Sequence, residues 1–473
     1  MRLVDILTRP EGKTLEFKRD ASGHVALLRT VCAFANTAGG TLVIGVTDGT
    51  RTVVGVGDPL LEEERLANLI SDGIAPRVLP DIEIVPWREA SVLVVRVYPG
   101  ASRPYHLRAQ GPGEGVYVRV GSTNRVADSQ LVAELGRYAR NESYDEQLLP
   151  DLGERDVDID AVRAAFEGRR AIRPADLASL RLVGECQGRT VPTVAGILLF
   201  GRDRERHFPD AWMQLARFKG TTRARFVDMA ELHSRPDVLV DEAVAFVKRS
   251  TPMRVAIDAA DSTRRVETWQ YPMAAVREAI LNAIVHADYS QIGGAFKVAV
   301  FDDRLEIENP GLLLPGVTIE SMLDGASRVR NRAIARVFRE LGAVEHWGTG
   351  VRLMRDACSA AGLPAPEFEE LAGRFRVTLR CERGPSTGLD SLDVELLELL
   401  DAQPGLSTAA LAARINRSTR ATRTRLRTLV DLGFAVDLGS GPNDPQRRYY
   451  ASEERAQYRP RREGAPAPVD DDA

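Results

Sequence analysis

The most constraining stretch of this chain is residues 269 to 381, where an amphipathic helical pattern, REAILNAIVHADYS at 277–290, runs directly into a hairpin pattern. That hairpin, FKVAVFDDRLEIENPG at 296–311, alternates apolar residues around an Asp302-Asp303 turn. A loop-rich stretch follows, then a helix NRAIARVFRELG and a strand RFRVTLRCE. Helices and antiparallel strands in separate blocks predict an α+β domain over 269–383. The helix carries an unusual polar row. Glu278, Asn282 and His286 are spaced by four residues and lie within about 80° on one face, while Val276, Ile280, Ala283 and Ile284 fall on other sides. Such a row is either a solvated face or the polar wall of a site. Downstream, HWGTG at 346–350 is a glycine-rich turn opening a helix, whose unpaired N–H groups suit a phosphate.

The order of these blocks, with FDDRLEIENPGLLLPG and SRVRNRAIARVF between them, resembles the divergent GHKL (Bergerat-type) ATP-binding fold at the C-terminus of RecG-like proteins. The resemblance implies ATP and Mg²⁺ as cofactors. Asn282 would ligate Mg²⁺ through its carboxamide oxygen, and Glu278 would orient or deprotonate water in any slow ATP hydrolysis. His286, Asn309 and Gly311 would line the nucleotide site, and Gly348, Thr349 and Gly350 would meet the phosphates. Where the wider superfamily uses an Asp in a DxGxG turn for adenine, this sequence has Asn309-Pro310-Gly311. The helicase label attached to such proteins is excluded: no GxxxxGK[ST] phosphate loop occurs, and a motor of that class needs one.

At 473 residues the chain is too long for one ordinary core and predicts several domains. Residues 1–130 read as α/β. GHVALLRTVCAFANTAGG is a helix with Val25, Leu28, Val31, Cys32 and Ala35 inward, TLVIGVTDG is a strand and turn, and EIVPW, SVLVVRVYP and GVYVRVGS are further strands. EGKTLEFKRD starts another, placing Glu16 and Lys18 on one face and Phe17 on the other. Together with AFANTAGGTLVIGVTD and GVYVRVGSTN these blocks are similar to the Schlafen-type AlbA domain, over about residues 8–128. The resemblance implies one of two roles. The first is nucleic-acid binding, with Lys18, Arg19, Arg119 and Arg125 as backbone contacts and Ser122 and Asn124 as donors to phosphate. The second is a metal-dependent nuclease built from Glu11, Glu16 and Asp48, with RNA as one substrate class. Glu16 and Lys18 are equally readable as a surface ion pair.

Residues 131–268 form a linker helix, an acidic stretch NESYDEQLLPDLGERDVDID and a connecting α/β region in which TVAGILLFG and WMQLARFKG read as buried strands. No chemical role emerges there, and His207 reads as a surface or packed histidine. CERGPSTGLDS is a turn-rich break. Residues 390–453 then have the order helix, helix, helix, hairpin. Ser407 or Thr408 caps the second helix and Ser418 the third. In that third helix Leu426, Leu429 and Val430 share one side; Arg420, Thr424 and Arg427 share the other. The pattern resembles a winged helix-turn-helix, which implies double-stranded DNA as partner, the third helix in the major groove, and Arg447 and Arg448 near the wing. Proteins of these types imply a homodimer. Residues 454–473 read as a disordered tail.

The net charge of -4 gives no global attraction to nucleic acid, so binding must come from local arginines. The four cysteines are widely spaced and form no CxxC pair, reading as buried, reduced thiols. No signal-like apolar segment and no run of about 18 apolar residues is present, so the expectation is a cytoplasmic protein with no membrane partner. The whole-chain resemblance is to bacterial AlbA-domain, RecG-like transcriptional regulators, with a metal-dependent nuclease as the alternative.

Overall fold

The computed structural model describes residues 3–251, 253–257, 265–343, 349–371, 373–381, 391–439, 444 and 447–452. The expected tail and most of the expected break at 381–391 lie outside them.

The N-terminal sheet has the strand order Leu15–Lys18, Gly40–Ile44, Ala90–Val97, Asp81–Trp87; its first pair is parallel and the other two pairs are antiparallel. Both faces are covered, which explains why LVI and VLVV are apolar at consecutive positions instead of alternating. Leu42, Ile44, Leu93 and Val95 pack under the helices His24–Asn36 and Pro59–Gly73. Leu15, Phe17, Val43, Val92 and Val94 face the opposite side, against the short helix Leu3–Leu7 and the C-terminal hairpin. Within His24–Asn36, Val31, Cys32 and Ala35 are buried as expected, whereas Val25 is 53% exposed. Val25 sits in the first turn, before the helix reaches the sheet.

The second sheet is six-stranded, in the order Phe226–Leu232, Met213–Phe218, Phe296–Val300, Arg304–Pro310, Arg374–Arg380, Glu367–Leu371. Met213–Phe218 pairs with Phe296–Val300 in parallel and the remaining pairs are antiparallel. Two strands therefore come from the region expected to be a separate connector. One hydrophobic core joins Val157 through Cys381, so a boundary at 268/269 would cut both sheet and core. Nor is 141–160 a loose linker: Tyr144, Leu149 and Leu152 pack on that core, and buried Asp145 accepts from the Ile334 N–H at 2.9 Å. TVAGILLF, expected as a strand, is the buried helix Val194–Phe200, with the Thr193 hydroxyl accepting from the Gly196 N–H at 3.0 Å. A continuous apolar run carries no periodicity to tell the two apart, and the N-cap threonine decides it.

The C-terminal unit is Ser391–Ala402, Thr408–Arg414, Thr419–Asp431 and the hairpin Ala435–Leu438/Arg448–Ala451. Ser407 and Ser418 cap the second and third helices as the sequence predicts, accepting from Ala410 and Ala421 N–H groups. The hairpin does not stand free: Val436 and Leu438 are buried in the same cluster as Leu3, Ile6 and Phe17 of the N-terminal unit. Arg88 and Asp444 add an ion pair across that contact at 3.4 Å.

Candidate nucleotide and DNA sites

The helix Met273–His286 buries Ala275, Val276, Ala279, Ile280, Leu281, Ala283, Ile284 and Val285. Arg277 turns to another side, where it pairs with Asp241, and the Glu278, Asn282 and His286 row forms a separate polar face. All three line a cavity with Asn309, Gly311 and Gly350, closed on its apolar side by Met354, Phe368, Phe375 and Val377. The Asn282 Nδ2 donates to Glu278 Oε1 at 3.0 Å. That bond uses one of the two amide N–H groups, and the carboxamide oxygen is the atom of this side chain able to accept or to ligate a cation.

Gly350 begins the helix Gly350–Ala360 and meets the same pair. A Cβ there would overlap Glu278 Oε1 and lie 3.1 Å from Asn282 Nδ2. Only glycine lets the helix N-terminus, where backbone N–H groups lack acceptors within the helix itself, approach so closely. Thr349 occupies the N-cap position; Gly348 lies outside the described residues. Gly311 has φ +100°, and a Cβ on it would meet the Asp288 Cβ at 2.9 Å. Asn309 is 4% exposed, its Nδ2 donating to the Pro310 carbonyl at 3.0 Å. Burial and the charge of Arg330 push the His286 imidazole down to about 4, so it is neutral near pH 7. The set offers the Glu278 carboxylate, the Asn282 and Asn309 carboxamides, a helix N-terminus and an apolar pocket. This fits a nucleotide whose Mg²⁺ takes few protein oxygens and keeps waters and phosphates as its other ligands. Among the described residues no group of three or more His, Cys, Asp or Glu is placed to hold a metal ion.

In the N-terminal unit Glu11, Glu16 and Asp48 come close enough to interact: burial, followed by the nearby Asp48 and Glu16 carboxylates, raises Glu11 above the usual range even though it accepts from the Phe17 N–H at 2.6 Å. Glu16, however, is engaged by cations on both oxygens, Lys18 on one and Arg119 on the other, the latter at 2.5 Å. This is the ion-pair reading, and it leaves the nuclease alternative without support. Arg119 is not a phosphate contact. It is 1% exposed and donates also to the Gly12 carbonyl and Asn124 Oδ1, with its guanidinium over the Phe34 ring. Asn124 is likewise occupied, donating to the Thr30 hydroxyl at 2.9 Å. Arg19, Ser122 and Arg125 are exposed.

On Thr419–Asp431, Leu426 and Leu429 are buried and Val430 packs beside them, leaving Arg420, Thr424 and Arg427 exposed together with Arg423, which the sequence reading passed over. Arg448 begins the second wing strand, but Arg447 pairs with Asp437 of the first at 2.5 Å and so is largely spoken for.

The contacts that sequence alone missed cluster at the cavity rim. Arg330 ion-pairs with Glu134 of the helix Ser129–Ala139 and also donates to the Leu312 carbonyl. Glu370 pairs with Lys13 through one oxygen, at 2.5 Å, and accepts from the Leu313 N–H through the other, at 2.8 Å. The only local sign was the alternating arginines of SRVRNR.

Three family models match consecutive parts of the chain. Residues 11–128 match SLFN_AlbA_2, "Schlafen, AlbA_2"; residues 293–379 match HATPase_c_4, "Putative ATP-dependent DNA helicase recG C-terminal"; residues 389–435 match HTH_24, "Winged helix-turn-helix DNA-binding". The chain thus joins a Schlafen AlbA_2 domain, a RecG-type HATPase domain and a winged helix. The HATPase match points to ATP binding and the winged-helix match to DNA binding. The HATPase match starts beyond the helix bearing Glu278 and Asn282. Among solved structures, the DIP2311 protein from Corynebacterium diphtheriae is 19% identical, covering 95% of this chain and 98% of its own with a TM-score of 0.43. The N-terminal domain of a RecG-related protein from Nitrosomonas europaea is 26% identical over 26% of this chain and 92% of its own, with a TM-score of 0.22. Among the described residues no helix is long and apolar enough to cross a membrane.

Proposed function

We propose that the protein is a cytoplasmic transcriptional regulator that binds duplex DNA through its winged helix and ATP-Mg²⁺ in the HATPase cavity, with nucleotide occupancy setting DNA affinity. The observation that carries this reading is the meeting of Gly350 with Glu278 and Asn282, which joins a helix N-terminus, a carboxylate and a carboxamide in one cavity. Asn282 would hold Mg²⁺ through its oxygen, the start of Gly350–Ala360 would receive phosphate, and Asn309 would meet the base. Mg²⁺, when bound, would offset phosphate charge. Glu278 is the group able to accept a proton from water, so any turnover depends on it.

The same reading gives a route to the winged helix. The cavity rim at Leu312 and Leu313 is clasped by Arg330–Glu134 and by Glu370–Lys13. Lys13 lies two residues before Leu15–Lys18, whose Leu15 and Phe17 share a core with Val436 and Leu438 of the wing. A rim position that differs with nucleotide shifts this packed path, and only a difference in affinity between two arrangements lets ATP move the equilibrium. The test is fluorescence anisotropy of duplex DNA from the gene's own upstream region, with and without ATP-Mg²⁺, for wild type and Asn282→Ala. An ATP-dependent change in wild type that vanishes in the variant supports the reading. Identical isotherms in all four conditions overturn it.

A further inference from the structure

A second concavity lies behind the nucleotide cavity, where the helix Ser129–Ala139 faces residues 328–332. Its volume is about 410 Å³, and Arg137, Tyr138, Tyr144, Arg328, Arg330 and Arg332 line it. Its carboxylates are already committed. Glu134 pairs with Arg330, Glu142 takes Arg140 in a two-pronged pair at 2.9 and 2.8 Å, and Asp288 accepts from the Ser290 N–H and hydroxyl.

Among the described residues three guanidinium groups have neutral partners in direct contact, while the charge of Arg137 also acts on the Glu134 and Glu142 carboxylates. Arg137 donates to the Ser290 hydroxyl at 3.2 Å and lies over the Tyr144 ring. Arg332 donates to Asn141 Oδ1 at 2.5 Å, and Arg328 lies over the Tyr138 ring. None of the three has a carboxylate within ion-pair distance among the described residues. Arg103 sits over Tyr138 as well, and burial together with the charge of Arg328 lowers it to about 10. The nearby helix start at Arg332 is not the attraction, because the Ser143 hydroxyl and Asp145 carboxylate already accept from its Arg332 and Ile334 N–H groups. The cleft therefore gathers fixed, directional cations in a space within the ~300–1,000 Å³ of ordinary ligand pockets. Guanidinium forks match phosphate oxygens, and the repulsion among cations gathered in one space is relieved by a bound anion.

We propose that this cleft binds a compact ligand bearing two or more linked phosphate groups, at a site distinct from the cavity of Glu278 and Asn282. Residues 314 and 328–330 line both spaces, so they share a wall. Occupancy of one then alters affinity at the other, reciprocally.

Calorimetric titration of the full chain with sodium pyrophosphate at low salt tests the assignment, with Mg-free ADP as a parallel arm to show whether a free or a nucleoside-linked diphosphate is preferred. Wild type and Asn282→Ala are expected to bind saturably, while Arg137→Gln with Arg332→Gln weakens binding about tenfold or more. Arg328→Gln, at an exposed position, is an independent variant should the double one fold poorly, and is expected to weaken binding likewise. No saturable binding by wild type overturns the proposal. So does binding lost in Asn282→Ala but kept in the arginine variants, which places pyrophosphate in the nucleotide cavity. Failure to take up pyrophosphate combined with weaker duplex binding in the arginine variants also overturns it, assigning the cleft to DNA.

Discussion

Lys13 and Glu370 form an ion pair across 357 residues of sequence, joining the AlbA_2 domain to the rim of the HATPase cavity. The side chains are 17% and 8% exposed, so water screens the pair poorly. Glu370 keeps its second contact to Leu313 N–H if the lysine is lost. Lys13→Ala is expected to destabilise the fold by about 1–3 kcal/mol in urea unfolding, toward the lower side of what breaking a buried pair does. ATP-induced thermal stabilisation should persist, while the ratio of DNA dissociation constants with and without ATP moves toward one. An unchanged ratio would remove this pair from the coupling path.

Gly350 offers a sharper probe of the cavity than a polar truncation. Because its added Cβ would meet Glu278 Oε1, Gly350→Ala must displace the carboxylate or the helix start. A cost of about 1–3 kcal/mol is expected. ATP-Mg²⁺ at 100 times its dissociation constant adds about 2.7 kcal/mol to wild type by mass action, and this gain should shrink or vanish in the variant. Differential scanning fluorimetry across an ATP series separates the two effects, since one is present without nucleotide.

How much of this was legible depended on the range over which each feature is decided. Ser407 and Ser418 were found as caps because capping is settled within three residues. The hairpin around Asp302-Asp303 and the polar row of 278, 282 and 286 are equally local. Arg119 was misjudged because its neighbours Ser122 and Asn124 look like a surface turn, whereas its burial is decided by Glu16, 103 residues away. Likewise the 268/269 boundary followed a change of local pattern, and parallel pairing of Met213–Phe218 with Phe296–Val300 bridges it. The docking of Val436 and Leu438 on the first domain leaves no mark beyond ordinary strand alternation.

Arg119 and Arg420 illustrate two opposite fates of an arginine, and their variants should differ in kind. Arg420→Ala with Arg427→Ala removes two exposed charges from the third helix of the winged unit. Stability should change by less than about 0.5 kcal/mol, while the dependence of log K on log salt falls by about 2 if both contact phosphate. Arg119→Ala instead strands Glu16 and the Gly12 carbonyl without that donor and should cost about 3–5 kcal/mol of stability. The salt slope of its folded fraction should be unchanged. Anisotropy titrations at several salt concentrations beside urea melts distinguish them; a flat slope in the double variant would take the third helix off the DNA.

Asp145 supplies a pH signature for the docking of residues 141–160 on the HATPase core. It is fully buried, accepts from Ile334 N–H and from the Ser143 hydroxyl, and burial lifts its carboxyl to about 6 from an ordinary 3.8. Between these values the folded protein holds a proton that the unfolded chain has released. Folding therefore binds protons in that window, and this group's contribution to stability falls as pH rises from about 4 to about 6. Asp145→Asn removes the titration while keeping an acceptor for Ile334. The stability of wild type relative to the variant should decline across the window by on the order of 3 kcal/mol and stay level above pH 7. Urea midpoints at half-unit pH steps measure this. A difference that rises with pH would mean that the hydrogen bonds, which favour the carboxylate, outweigh its burial.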